Sequence, residues 1–111
     1  MNDKQIQDVV KKMLSDQDQI QSVRKPTTPV ENAEEYFFTY PGNKYLWSIM
    51  QDEDGDYHMY FYASKEDEQT YLRFGEDVFG PEGKEKLTTL FGVLQGKLHG
   101  FDQVLKDILG S

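Results

Sequence analysis

Apolar positions follow two different periods along this chain, and the changes between them divide it into segments. From Ile6, the residues Val9, Val10, Met13 and Leu14 recur at the three-and-four spacing of one helical face. Asn2 or Asp3 stands in front as a cap. Ser15-Asp16 either ends this helix or begins another turn, because Ile20 and Val23 continue the spacing; the helical segment is drawn over residues 1–23. Residues 24–30 contain Pro26, Thr27, Thr28 and Pro29 and read as an extended linker.

Over residues 31–79 the period falls to two. Tyr36–Tyr40, Tyr45–Gln51, Tyr57–Ala63 and Thr70–Phe74 are short runs rich in aromatic and β-branched residues, and they predict a four-stranded antiparallel meander. Pro41-Gly42 suits a type II turn, with proline presetting φ and glycine accepting a positive one. The next turn, at Asp52-Glu53-Asp54-Gly55-Asp56, fixes which face is core, since a one-residue slip reverses every side chain. A three-residue loop Glu53-Asp54-Gly55 pairs Ile49 with Met59 and Trp47 with Phe61. That register gathers Tyr45, Trp47, Ile49, Met59, Phe61 and Ala63 on one face. It leaves Ser48, Met50, His58, Tyr60 and Tyr62 on the other, and this cleaner separation is the one adopted.

The helical period returns over residues 80–109. Pro81 suits a first helical position, where its missing N–H costs nothing. Leu87, Phe91, Leu94, Leu98, Phe101, Leu105 and Ile108 form the stripe. It runs through Gly100, so one long helix and two helices parted at Gly100, the second capped by Asp102, both satisfy it. Gly92, Gly96 and Gly100 each cost a helix on the order of 1 kcal/mol relative to alanine, and close approach to the sheet or the first helix would compensate. The expectation is one α+β domain over residues 1–111: an N-terminal helix, a four-stranded sheet, and a C-terminal helix on the Trp47/Phe61 face.

Charge changes the picture more than composition does. The net charge is −8, yet residues 31–82 carry thirteen acids against Lys44, Lys65 and Arg73, a net −10, while both flanks are slightly positive. Such a field repels nucleic acid and anionic lipid and speeds encounter with basic partners. The absence of cysteine removes disulfides, thiolate metal sites and thiol nucleophiles. No apolar run approaches the roughly 20 residues of a membrane span, and the charged N-terminus lacks a signal-peptide pattern, so the expected compartment is cytoplasmic.

The candidate motifs for chemistry fail on spacing. A calcium loop opening at Asp52 needs glycine sixth and an acid twelfth; those positions are Tyr57 and Ala63. Gly80-Pro81-Glu82-Gly83-Lys84-Glu85 lacks the spacing and the hydroxyl of a phosphate loop. His58 and His99 have no neighbour at the spacing of a nucleophile–base pair. No catalytic residue, metal ligand set or cofactor is assigned.

Two surfaces remain. A meander places Glu34, Glu35, Asp52, Glu53, Asp54, Asp56, Glu76 and Asp77 at one end of the sheet, together with Glu31, and this acidic end is the first candidate partner site. The aromatic face of Met50, His58, Tyr60 and Tyr62 is the second. Tyrosines on a sheet stack bases only where basic residues neutralise phosphate, so direct nucleic-acid binding is not expected. The function expected is a non-enzymatic protein-binding module, of inhibitor, immunity or adaptor type, meeting a basic protein. The alternatives are a mimic of nucleic-acid charge and a small carboxylate metal site or enzyme. The oligomeric state stays open, since a sheet of this kind has two edges.

Overall fold

The Asn2 side chain accepts the Gln5 N–H at 2.9 Å while the Gln5 side chain accepts the Asn2 N–H, also at 2.9 Å. This capping box starts α1, Asp3–Ser15, in the computed structural model of the chain, which describes residues 1–110 apart from the Asp102 side chain. α1 buries Ile6, Val10 and Met13, the predicted stripe.

The helix does not continue to Val23. A 3₁₀ turn, Gln17–Gln19, follows it, and β1, Gln21–Arg24, is a strand. Ile20 is buried and Val23 packs partly into the same core. The i, i+3 pair that reads as a continued helix is therefore a chain crossing the core's edge and turning into the sheet. β2 (Glu34–Thr39), β3 (Leu46–Gln51), β4 (Tyr57–Ser64) and β5 (Asp67–Gly75) complete a five-stranded antiparallel sheet in the order β1-β2-β3-β4-β5. The meander is present with one strand more than expected.

The central hairpin has the expected register, Trp47 opposite Phe61 and Ile49 opposite Met59. The Asp52 N–H donates to the Asp56 carbonyl at 2.9 Å, which leaves Glu53-Asp54-Gly55 as the loop, with Gly55 at φ +86°. The other predicted turn is shifted. The Lys44 N–H donates to the Pro41 carbonyl at 3.3 Å, so Gly42, at φ +56°, takes the second position of the turn rather than the third; the Tyr40–Pro41 bond is cis.

α2, Gly83–His99, begins two residues later than Pro81. Pro81 instead lies in a turn closed by the Gly83 N–H on the Gly80 carbonyl at 3.0 Å. Gly100, in the left-handed conformation at φ +72°, ends α2, and α3 follows at Phe101–Leu109. The predicted Asp102 cap lies outside the described side chains. Close approach does not explain Gly92 or Gly100, where an added Cβ would meet nothing within 4 Å. It explains Gly83, where a Cβ would stand 2.6 Å from the Glu76 carbonyl oxygen and 2.9 Å from the Phe79 Cβ.

α1 and α2 cover the Trp47/Phe61 face. Leu87, Leu90, Phe91 and Leu94 of α2 join Tyr36, Phe38, Ile49, Tyr57 and Met59 in one buried cluster, with Phe91 between the rings of Tyr36 and Tyr57 at 5.0 and 5.4 Å. Full burial of a side chain of this size is worth about 1.5–3 kcal/mol. α3 contributes little to that core, since Phe101, Val104, Leu105, Ile108 and Leu109 are all exposed. Among the described residues no helix is long and apolar enough to cross a membrane.

Candidate functional site

The face of the sheet away from the helices is concave, and a bulge sets its composition. Gln21 pairs with Thr39 and Arg24 with Phe37, so β1 uses one residue more than β2 over that interval, and Ser22 within it has φ +52°. The extra residue reverses the alternation. Val23 turns to the core, and the Arg24 guanidinium lies over the Phe37 ring, 4.5 Å from its centroid. A second irregularity, between Tyr62 and Ser64, bends the β4–β5 pairing.

Together these bring opposite edges of the sheet into contact. Arg24 Nη2 is 2.6 Å from Glu68 Oε1. In a flat sheet, four strand spacings would hold β1 and β5 about 19 Å apart, beyond the reach of these two side chains. The sheet is therefore curled across this face, and the curl encloses a groove of about 270 Å³. Phe37 and Tyr62, both buried, form its floor, and Met50, Tyr60, Tyr71, Glu35, Glu68 and Val30 also line it. The tyrosine rings are in mutual contact: Tyr71 meets Tyr60 edge-on at 5.1 Å and Tyr62 at 5.8 Å.

A hydrogen-bonded chain from Tyr62 through Ser48 to Glu35 fixes the floor of the groove. The Ser48 hydroxyl donates to Glu35 Oε2 at 2.9 Å and stands 2.8 Å from the Tyr62 hydroxyl. Serine has one proton and gives it to the carboxylate, so Tyr62 donates to Ser48. Burial pushes the Glu35 carboxyl above its ordinary value, an effect the Ser48 hydrogen bond opposes; the charge of Glu68 raises it further and Arg24 lowers it. Burial likewise raises the Tyr62 hydroxyl, with Glu35 and Glu68 adding to the effect. Among the described residues Glu68 thus pairs with Arg24, whereas the Glu35 carboxylate is held by a neutral hydroxyl.

The predicted aromatic face is realised in part. Met50, Tyr60 and Tyr62 line the groove, but Tyr62 is only 5% exposed and acts as floor. His58 lies beyond the groove and is already engaged. Its Nδ1 is 2.6 Å from Arg73 Nη2 and its Nε2 is 2.8 Å from Asp52 Oδ2. Arginine can only donate, so Nδ1 accepts and Nε2 carries the proton given to Asp52. With both nitrogens used inside the protein, the ring is arranged as a bridge between strand and loop.

The acidic end is also present as a location, although several of its carboxylates have internal work. Asp52 accepts the N–H groups of Asp54 and Asp56, both at 3.0 Å, besides His58, and the His58 hydrogen bond leads the causes that hold its carboxyl below the ordinary value. Glu76 accepts the Tyr57 N–H at 2.8 Å, and Glu34 accepts the Tyr36 hydroxyl at 2.6 Å. Glu35 belongs to the groove. Glu53, Asp54, Asp56 and Asp77 are left exposed. Asp52, Glu34, Glu35 and Glu76 of the expected acidic end thus have partners inside the protein. Among the described residues no three His, Asp or Glu side chains stand close enough together to hold a metal ion.

Sequence reasoning missed Arg24, Phe37, Glu68 and Tyr71 as members of this site, and placed Ser48 on this face without assigning it a role. Tyr71 was within reach, because it alternates with Gln69 and Arg73 on one face of a strand. Arg24 and Glu68 depend on a bulge and a sheet curl that no local pattern announces. Comparison with family models, with curated proteins and with solved structures finds no significant match to this chain.

Proposed function

We propose that this chain is a non-enzymatic protein-binding domain, of inhibitor, immunity or adaptor type, that receives a basic segment of a partner protein on the concave face and acidic end of its sheet. One observation carries the reading: in a groove lined by tyrosines, Glu68 is paired with Arg24 while Glu35 is hydrogen-bonded to the neutral Ser48 hydroxyl. That groove sits on the stretch of chain with a net −10. Aromatic walls supply contact area, the unbalanced carboxylate supplies charge complementarity, and the surrounding field speeds encounter. Each step serves binding, and none requires a nucleophile, a free base or a metal. The setting proposed is cytoplasmic.

A second reading, mimicry of nucleic-acid charge before a DNA- or RNA-binding protein, is favoured by the exposed tip acids Glu53, Asp54 and Asp56. It places the affinity at the tip rather than in the groove. The test is calorimetric titration of a short peptide alternating lysine and serine, with a glutamate–serine peptide as control, at low and moderate salt. Saturable binding of the lysine peptide alone is the expected result. Equal binding of both peptides, or of neither, would refute the proposal.

A further inference from the structure

We infer that the groove between Glu35 and the Tyr60–Tyr71 pair is a receptor for one cationic side chain, a lysine ammonium or an arginine guanidinium, inserted from the partner. The inference rests on the function proposed above and narrows it to a pocket and a chemical group.

The chain itself shows the mode of recognition in one half of the groove. The Arg24 guanidinium lies over an aromatic ring, Phe37, 4.5 Å from its centroid, and bonds a carboxylate, Glu68, at 2.6 Å. A cation held against an aromatic face and a carboxylate together is a favourable arrangement, because the ring quadrupole and the formal charge act on the same side of the ion. The other half repeats the carboxylate and the aromatic rings. Glu35 supplies the carboxylate, and its second oxygen is free of the Ser48 bond, which uses Oε2. Tyr60 and Tyr71, 5.1 Å apart, supply the aromatic wall. Arg73, opposite Tyr60 in the β4–β5 pairing, directs Nη2 to His58 and also bears on the Tyr60 hydroxyl, leaving the Tyr71 ring and the second Glu35 oxygen to a guest.

Size limits the guest. At about 270 Å³ the groove lies just below the roughly 300 Å³ at which sites enclose drug-sized ligands. It accommodates a side chain rather than a nucleotide or a cofactor. Shape supports entry from outside, since Tyr71 is 50% exposed at the rim while Tyr62 closes the floor. An anion is disfavoured by both carboxylates. A neutral aliphatic chain would leave Glu35 half-buried against it without a counter-charge, which is costly.

The test uses N-acetyl-lysine methylamide and N-acetyl-arginine methylamide as probes, with N-acetyl-norleucine methylamide as the uncharged control, titrated into the whole chain and followed by NMR. The expected result is saturable shifts of the Tyr60 and Tyr71 rings and the Met50 methyl with the two cationic probes only. Glu35→Gln, which keeps an acceptor for Ser48, should weaken the binding about tenfold, the scale of a lost charge-assisted contact. Tyr71→Ser, at an exposed position, provides a second variant that spares the core and should weaken it as well. Three outcomes would overturn the inference: no saturable shift, shifts confined to the hairpin-tip acids, or equal binding of the norleucine probe. If the basic peptide binds and these probes do not reach the groove, the pocket assignment falls while the proposed function stands. If neither binds, both fall.

Discussion

Arg24 Nη2 lies 2.6 Å from Glu68 Oε1, although the two residues belong to opposite edges of the sheet. The pair is a clasp across the concave face, and its guanidinium also rests on Phe37. Both side chains stay partly open to solvent, 40% and 35% exposed, so screening limits what the clasp contributes. Arg24→Ala should cost about 1–2 kcal/mol, the ion-pair and cation–π contributions together. Urea unfolding measures the loss, and a double-mutant cycle with Glu68→Gln should return the ion-pair part of it as coupling, leaving the Phe37 contact outside the cycle. The same variant should bind the cationic probes more tightly, because it returns Glu68 to the groove.

Glu35 carries a cost that its neighbours only partly offset. Burial raises its folded-state pKa above the unfolded value. The native state then holds the proton to higher pH than the unfolded state does. Stability contributed by this residue therefore falls as pH rises from the ordinary carboxylate value through the raised one, and levels off once both states are ionised. Glu35→Gln should be at least as stable as the wild type at neutral pH, with a flatter stability profile across that window. Urea unfolding over a pH series checks this; a Glu35→Gln variant clearly less stable at neutral pH would contradict it.

Two glycines in the same helix should respond in opposite directions. Gly92→Ala meets nothing within 4 Å and removes a poor helix former, so it should raise stability by about 0.5–1 kcal/mol. Gly83→Ala would place a Cβ 2.6 Å from the Glu76 carbonyl oxygen, a backbone atom that cannot swing aside. It should lower stability by about 1–3 kcal/mol. Thermal unfolding of the two single variants decides both.

α3 exposes its large apolar side chains, from 54% at Val104 to 85% at Leu109. Truncation after Gly100 should therefore change the unfolding free energy by no more than about 0.5 kcal/mol, the range of surface changes. It should also leave binding of the lysine peptide unaltered. A large loss in either measurement would show that the terminal helix is part of the core or of the site.

The fold was legible wherever a short-range signal decided it. The stripe of Ile6, Val10 and Met13, the alternation around Trp47 and Ile49, and Gly55 in a three-residue loop each point to one local structure, and the protein adopts it. Val23 was misread because i, i+3 spacing from Ile20 suits a helix and also a chain turning from a 3₁₀ turn into a strand. Pro81 was misplaced because a first helical position and the corner of a tight turn ask the same of proline. Close approach is absent at Gly92 and Gly100 and present at Gly83, where the preceding 3₁₀ turn at Glu76–Phe79 packs against the helix start.

The site was legible only in halves. Alternation placed Met50, Tyr60 and Tyr62 on one face and composition marked the acids. The curl that joins Glu35 to Glu68 and seats Arg24 over Phe37 arises from two strand irregularities, at Ser22 and beside Tyr62. Nothing in their local sequence distinguishes these from ordinary strand and linker.

The central claim is that a basic partner is held by the groove, with the hairpin tip supplying only long-range attraction. The most direct measurement compares binding of the lysine peptide to three proteins: the wild type, the groove variant Glu35→Gln/Glu68→Gln, and the tip variant Glu53→Gln/Asp54→Asn/Asp56→Asn, which leaves the turn-forming Asp52 in place. The account predicts that the groove variant loses binding at all salt concentrations, while the tip variant loses only part of it at low salt and matches the wild type at moderate salt. A groove variant that binds like the wild type, or a tip variant that does not bind at all, would contradict it.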